Sequence, residues 1–292
     1  MLHFHQNQLA LDDLTVKSDD TVITGWVRHR REDSVAWTFA LESDEFFLVD
    51  QTENGPRFLT TAGVLAGLLA DRLSDLPSDV MAMGSIVVER LLFDRILVEN
   101  VTAKIRSKEK LMSVVLLSGE LYDGTGKVIV WLDRRADEPR LLLRQAVSDI
   151  NLGKYLNDLD GITGIEASAD LALVLAVEGR TSAELLKAAR GSATVGLRNG
   201  ELSAEMFNRV LGNFNSQMVR AINSQLPELK VEQASTTIRI DRGIVQNQDF
   251  RVVGRGFWVE GKGLVPLSSG TLDYKVLLAL ENDLRLTLIH IS

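Results

Sequence analysis

The chain has no cysteine in 292 residues, which excludes disulfides, zinc–cysteine sites and thiol nucleophiles at once. That absence suits an oxidising compartment without requiring one. Histidine is scarce as well. The four present, His3, His5, His29 and His290, lie near termini and turns, and the pair two residues apart offers only part of a metal site. Neither a G-x-S-x-G elbow nor a G-x-G-x-x-G fingerprint occurs. The GTGK run ending at Lys127 lacks the earlier glycine of a phosphate loop, because Leu121 stands there, and its lysine opens a strand. Asp123, Asp133 and Asp273 fall at hairpin turns, where aspartate is expected for its local hydrogen bonds. The sequence therefore reads as non-enzymatic, with no catalytic residue, no metal and no cofactor. Positive charge is also in deficit, at 32 Lys and Arg against 40 Asp and Glu for a net −8, which argues against a general nucleic-acid binder. Long apolar runs are missing too. GVLAGLLA at 63–70 and LALVLAV at 171–177 fall well short of the roughly 20 residues a spanning helix needs. The opening MLHFHQNQLALDD has neither a basic nor an apolar leader region, so the chain reads as neither membrane-spanning nor visibly exported.

What is present is strand alternation in abundance. A hydrophobic fraction of 45% with 25% charged residues belongs to a folded globular chain. Leu9, Leu11 and Val16, then Val22 to Val27, then Val35 to Leu41 read as antiparallel strands. The intervening Arg28, His29, Arg30 and Arg31 read as a solvated turn rather than a phosphate site. Phe58, Leu65, Leu68, Leu69, Leu73 and Leu76 follow helical spacing up to Pro77, and acidic flanks favour packing on a sheet over lying on a membrane. Strands return at Ile86. Val101, Ala103 and Ile105 face one way and Thr102, Lys104, Arg106 and Lys108 the other, a basic ladder extended by Lys110. The ladder could meet anionic headgroups, with a solvated face as the default reading. The strand at Lys127–Asp133 is apolar on both faces and so needs a layer on each side.

An internal repeat links Thr21–Leu41, Lys127–Leu143 and Arg255–Leu280: a strand with a tryptophan, a polar turn, then a second apolar strand. Repeated strand pairs extend a sheet along one axis. Between the copies, Thr181 and Glu184 form a capping box, with Gly191 placed as the C-cap glycine of that helix. Asn199–Gly200 is a turn signal. From Ser203 a second helix carries Met206, Val210, Phe214, Met218 and Ile222, a stripe that packs on a sheet or serves as a lid contacting lipid.

The ordered set of Glu120–Gly126, Ile150–Leu156, Gly179–Gly191, Ala193–Glu201 and Gly270–Tyr274 resembles the C-terminal region of the AsmA family across most of residues 80–280. The resemblance implies a periplasmic protein of double-membraned bacteria, tethered to the inner membrane by an anchor in a longer parent. It implies a curved sheet whose apolar interior carries acyl chains, and a role in outer-membrane biogenesis. The expected fold is α+β, mostly β: an elongated, curved antiparallel sheet forming an open groove, with a few amphipathic helices packed on it. The expected divisions are a strand repeat at 1–56, a helix and linker at 57–79, and a β-groove region at 80–292 with helices at 182–190 and 203–226. Groove candidates are Val128, Val130, Leu132, Leu171, Leu173, Leu175, Val177, Val276, Leu278 and Leu280, although each fits an ordinary core equally well. The expected partners are phospholipid or another acyl lipid and, besides, outer-membrane assembly proteins. A scaffold that docks envelope proteins through exposed sheet edges, without lipid transfer, is the alternative.

Overall fold

The structure is a computed structural model and describes residues 2–5, 8–18, 21–30, 36–48, 81–93, 95–203, 205–206, 229–269, 271–280 and 283–291. The expected helix at 57–79 and most of that at 203–226 lie outside the described residues. The strands are β1 (Leu2–His5), β2 (Gln8–Ser18), β3 (Thr21–Arg30), β4 (Trp37–Leu48), β5 (Ala82–Phe93), β6 (Ile96–Lys108), β7 (Leu111–Leu121) and β8 (Gly124–Asp133). There follow β9 (Arg140–Asn151), β10 (Ile165–Glu178), β11 (Arg190–Leu202), β12 (Leu229–Asp241), β13 (Ile244–Gly254), β14 (Phe257–Pro266), β15 (Asp273–Leu280) and β16 (Asp283–Ile291). Two helices are described, α1 (Leu152–Asp160) and α2 (Ser182–Ala188). The fold is mostly β, and the strands hydrogen-bond in sequence order from β1 to β16. Consecutive pairing needs only short connections, and several are tight turns with two left-handed residues: Glu109–Lys110, Tyr122–Asp123 and Arg242–Gly243.

One pair departs from the antiparallel expectation. β4 and β5 run parallel, in register from Trp37 opposite Ala82 to Leu48 opposite Phe93. Parallel neighbours need a connection long enough to return along the strand, and residues 49–81 provide one. β4 is joined to β5 along its whole length. By compactness the chain divides into residues 1–121, 125–146 and 174–189 in one unit and 122–124, 147–173 and 190–292 in the other.

α2 has the expected start. Thr181 Oγ1 accepts from Glu184 N at 3.3 Å, and Glu184 Oε2 accepts from Thr181 N at 3.1 Å and Arg180 N at 2.8 Å. Those backbone donors hold the Glu184 carboxyl below its ordinary pKa. Its end differs from expectation. Ala189 is the C-cap, and Gly191 belongs to β11, paired with Ile240. Asn199–Gly200 is likewise no reversal. Asn199 has φ 52°, yet β11 continues to Leu202, its partner residues running on along β12 to Leu229. Asparagine tolerates the left-handed region wherever it occurs, so the same residue pair serves a turn or a kink.

α1 was not anticipated as a helix. Asn151 caps it by accepting from Lys154 N at 3.1 Å, and Gly161, at φ 67°, closes it with its N–H on the Asn157 carbonyl. The helix is anchored on the β7–β8 turn. Lys154 Nζ bonds both oxygens of Asp123 at 2.9 and 2.7 Å, Asn151 N donates to Tyr122 O at 2.7 Å, and Tyr122 meets Tyr155 edge-on at 5.6 Å.

Candidate functional site

In the first unit, strand register sorts the side chains onto two faces. One face, called inner here, carries four successive rows across β2 to β6. The first is Leu9, His29, Trp37, Ala82 and Ser107. The second is Leu11, Val27, Phe39, Gly84 and Ile105, and the third Leu14, Gly25, Leu41, Ile86 and Ala103. The fourth is Val16, Ile23, Ser43, Val88 and Val101. β7 continues the first two rows with Met112 and Val114. Alternation in β2 survives because a bulge at Asp12–Asp13, where Asp13 has φ 57°, shifts the parity between Leu11 and Leu14. Gly25, at φ 141°, allows the close approach of β3 to β4, since a Cβ there would stand 2.1 Å from Ala40 O.

Burial along this face is graded. Most residues of the inner rows on β2, β3 and β4 are half-buried, whereas Val88, Val101 and Met112 are buried. Ser43 is buried as well, its hydroxyl donating to Val22 O at 2.9 Å and Glu45 O at 2.6 Å, so its polarity is satisfied within the row. Beyond the fourth row the face turns charged. Glu45, Arg90 and Glu99 stand in register, with an ion pair between Arg90 and Glu45.

Farther along the same unit the burial is complete. Val130, Leu132, Leu141, Leu143, Leu175 and Val177 are all buried, Leu132 at 2% exposure and Leu143 at 1%. Four of the sequence-nominated groove residues, Val130, Leu132, Leu175 and Val177, are thus occupied by protein packing and present almost no surface. Val128 is half-buried. In the second unit Leu171, Leu173 and Val276 are half-buried and Leu278 is buried, while the side chain of Leu280 lies outside the described part. Met206 is buried, and its N–H donates to Ser203 Oγ at 3.2 Å, as to an N-cap. Val210, Phe214, Met218 and Ile222 lie outside the described residues. The half-buried apolar rows of β2 to β4 were legible only as alternation. Their assembly depends on register.

The second unit has a face of the same kind with a polar knot in it. Leu197, Ala234, Val252, Val259 and Leu278 stand in one row, and Ala193, Ile238, Asn247, Gly263 and Tyr274 in another. Tyr274 Oη donates to Asn247 Oδ1 at 2.7 Å, while Asn247 Nδ2 reaches Thr236 Oγ1, Thr237 O and Asp249 Oδ1. Burial and the charge of Asp249 raise the Tyr274 pKa. The Thr237 N–H, donating at 2.8 Å, holds Asp249 low. Gly263 leaves room for the ring, since a Cβ there would lie 2.3 Å from both Tyr274 Cδ2 and Asp273 O.

The outer face of the first unit carries polar residues divided by charge, with Val22, Met83, Val87 and Leu111 exposed among them. Glu42, Asp44, Glu89, Asn100, Thr102 and Ser118 help line a depression of ≈ 540 Å³. The row two residues beyond Thr102 along β6 begins the basic ladder of Lys104, Arg106 and Lys108. Arg28, His29 and Arg30, expected in a turn, are residues of β3 itself. Arg28 lies over the Trp26 ring at 4.7 Å and pairs with Asp12 at 3.2 Å, and His29 packs on Trp37 at 4.5 Å. The second repeat copy reproduces the stacking with a different strand's arginine, Arg144 over Trp131 at 5.5 Å. Among the described residues, no group of three or more metal-ligating side chains gathers, and no helix is long and apolar enough to cross a membrane.

These features define a mostly-β protein of sheet rows, its distinguishing surface an apolar face sorted by register. The AsmA family model matches residues 66–250. The chain belongs to the AsmA family, whose proteins are envelope-associated, and this membership is consistent with envelope biogenesis. Searches of curated proteins and of solved structures each return no match.

Proposed function

We propose that this chain is a non-catalytic periplasmic component of outer-membrane biogenesis that holds phospholipid acyl chains on the inner face of β2 to β6. The observation that carries the reading is the stack of four register rows, in which Leu9, Leu11, Val27, Trp37, Phe39 and Leu41 are only half-buried. Five strands and four rows make a surface of about 20 Å by 20 Å at ordinary strand spacings. An acyl chain needs continuous apolar contact and no chemistry, and the charged row at Glu45, Arg90 and Glu99 gives that surface a polar border. The buried groove candidates of β8 and β10 support the sheet beside this surface instead of lining it.

The test is purification without detergent, lipid extraction with mass spectrometry, and uptake of a fluorescent phospholipid, repeated with Phe39→Glu. The wild-type chain is expected to carry phospholipid and to take up the probe, and the variant to lose both while keeping its circular dichroism. No bound lipid and no uptake by the wild type would overturn the reading. Crosslinking in cells that then returned a stable protein partner would favour the scaffold alternative.

A further inference from the structure

The outer face of β5 and β6 carries cations that the strand neighbours do not neutralise. Lys104 stands opposite Ser85 and Val115, and Arg106 opposite Met83 and Ser113, so no carboxylate flanks either on the adjoining strands. Lys108, opposite Leu111, meets the turn residue Glu109 at 3.5 Å. Several other exposed cations do meet carboxylates, among them Arg28 with Asp12, Arg140 with Glu178, Lys154 with Asp123 and Arg198 with Asp149 and Asp170.

Two large apolar side chains project from the same patch. Met83, 42% exposed, touches the Arg106 guanidinium through its sulfur at 3.8 Å, and Leu111 is 37% exposed beside Lys108. Across β5 the outward residues of β4 are Thr38 and Ala40, both uncharged. Among the described residues, carboxylates on this face include Glu42 and Glu89, which lie towards the other end of β4 and β5, and Glu109 in the turn. Cations at strand spacing, roughly 7 Å apart, with apolar tips between them match the headgroup region of an anionic bilayer, where phosphates meet the cations and short apolar side chains enter the interface. A single-stranded nucleic acid would call for exposed aromatic platforms, and the tryptophan of this face, Trp26, is covered by Arg28.

We infer that Met83, Lys104, Arg106, Lys108 and Leu111 form a docking surface for anionic phospholipid bilayers, on the face of the sheet opposite the one proposed to hold acyl chains. This surface binds a membrane, not a single lipid, and it does not depend on the inner face being occupied. Flotation of the whole chain with phosphatidylcholine vesicles, with and without an equal part of phosphatidylglycerol, tests it. Binding is expected only to the anionic vesicles and to weaken as salt rises. K104A/R106A should lower vesicle affinity by about 25-fold, roughly fivefold for each cation, and Met83→Ser by a smaller factor. Phe39→Glu should leave vesicle binding unchanged, which separates a failure here from a failure of the acyl-chain reading. All these side chains are at least partly exposed, and circular dichroism confirms that the variants fold. Equal binding to both vesicle types, wild-type affinity in K104A/R106A, or binding to an oligonucleotide with none to vesicles would overturn the inference.

Discussion

The inner rows of the first unit and the equivalent rows of the second are built by one rule and end in different states. In both, strand register brings every second residue of successive strands onto one face. In the second unit that face is filled by its own aromatic rings. Tyr274 lies over Gly261 and Gly263, Phe250 meets Tyr274 edge-on at 6.5 Å, and Phe257 is buried against Gly254. In β2 to β4 of the first unit Trp37 packs on His29 and Phe39 lies over Gly84, and both rings stay half-buried. The difference teaches that apolar alternation specifies a face in both units, while the groups set into it decide how its rings are held: Tyr274, half-buried like Phe39 and likewise over a glycine, is fixed by its bond to Asn247.

The comparison can be broken most severely at Gly263. In Gly263→Val the new Cβ meets the Tyr274 ring and the Asp273 carbonyl, so a stability loss of about 3 kcal/mol is expected from overpacking, read from urea unfolding. If the variant unfolds like wild type, the second unit is not closed by the glycine–tyrosine fit. A matched pair within the first unit sharpens the contrast between closed and open rows. Leu143→Ala should cost about 3 kcal/mol because it empties a filled core position, whereas Leu11→Ala, half-buried, should cost about 1 kcal/mol. Equal losses would mean that β2 is packed as tightly as β9.

The smallest effect belongs to acid stability at the end of β8. Asp133 accepts from Arg135 Nε at 2.9 Å, Nη2 at 2.7 Å and backbone N at 3.0 Å. The arginine side chain, then its backbone N–H, lower the carboxyl from 3.8 to about 2. A depressed carboxyl pKa contributes stability above the unfolded value and loses it as pH falls through the folded one. Wild type should therefore exceed Asp133→Asn in stability above pH 3.8 and converge with it towards pH 2. The gap should also narrow in salt, because the pair is solvent-accessible.

Much of this was legible in the sequence because it is local. Strands declare themselves by alternation, the Thr181–Glu184 capping box by spacing, and the β6–β7 and β7–β8 hairpins by polar residues between apolar runs. What escaped notice is either ambiguous or non-local. Asn199 looks the same whether the chain reverses or merely kinks, and only the continuation of β12 opposite decides it. Asn151 and Gly161 are good signals for the two ends of α1, but the helix between them is a single short element at the end of a strand. The bulges at Asp13 and Asn100 read as polar breaks, although the strand continues through both. The parallel register of β4 with β5 and the Asn247–Tyr274 bond join residues far apart in sequence, and no window of the chain contains them. The groove nominations favoured continuous apolar strands, in which Val130, Leu132, Leu175, Val177 and Leu278 are buried while Val128, Leu171, Leu173 and Val276 are half-buried.

The parallel junction also constrains when the molecule can be completed. β1 to β4 can pair as soon as Leu48 has been made, but the free edge of β4 must wait for Phe93. At ordinary synthesis rates that is a delay of a few seconds. Over this interval the backbone donors and acceptors along Trp37–Leu48 stand open next to half-buried apolar rows, the combination most prone to pair with the wrong strand. β4 is thus the point where a nascent chain most needs a chaperone, and its vulnerability ends only when β5 arrives.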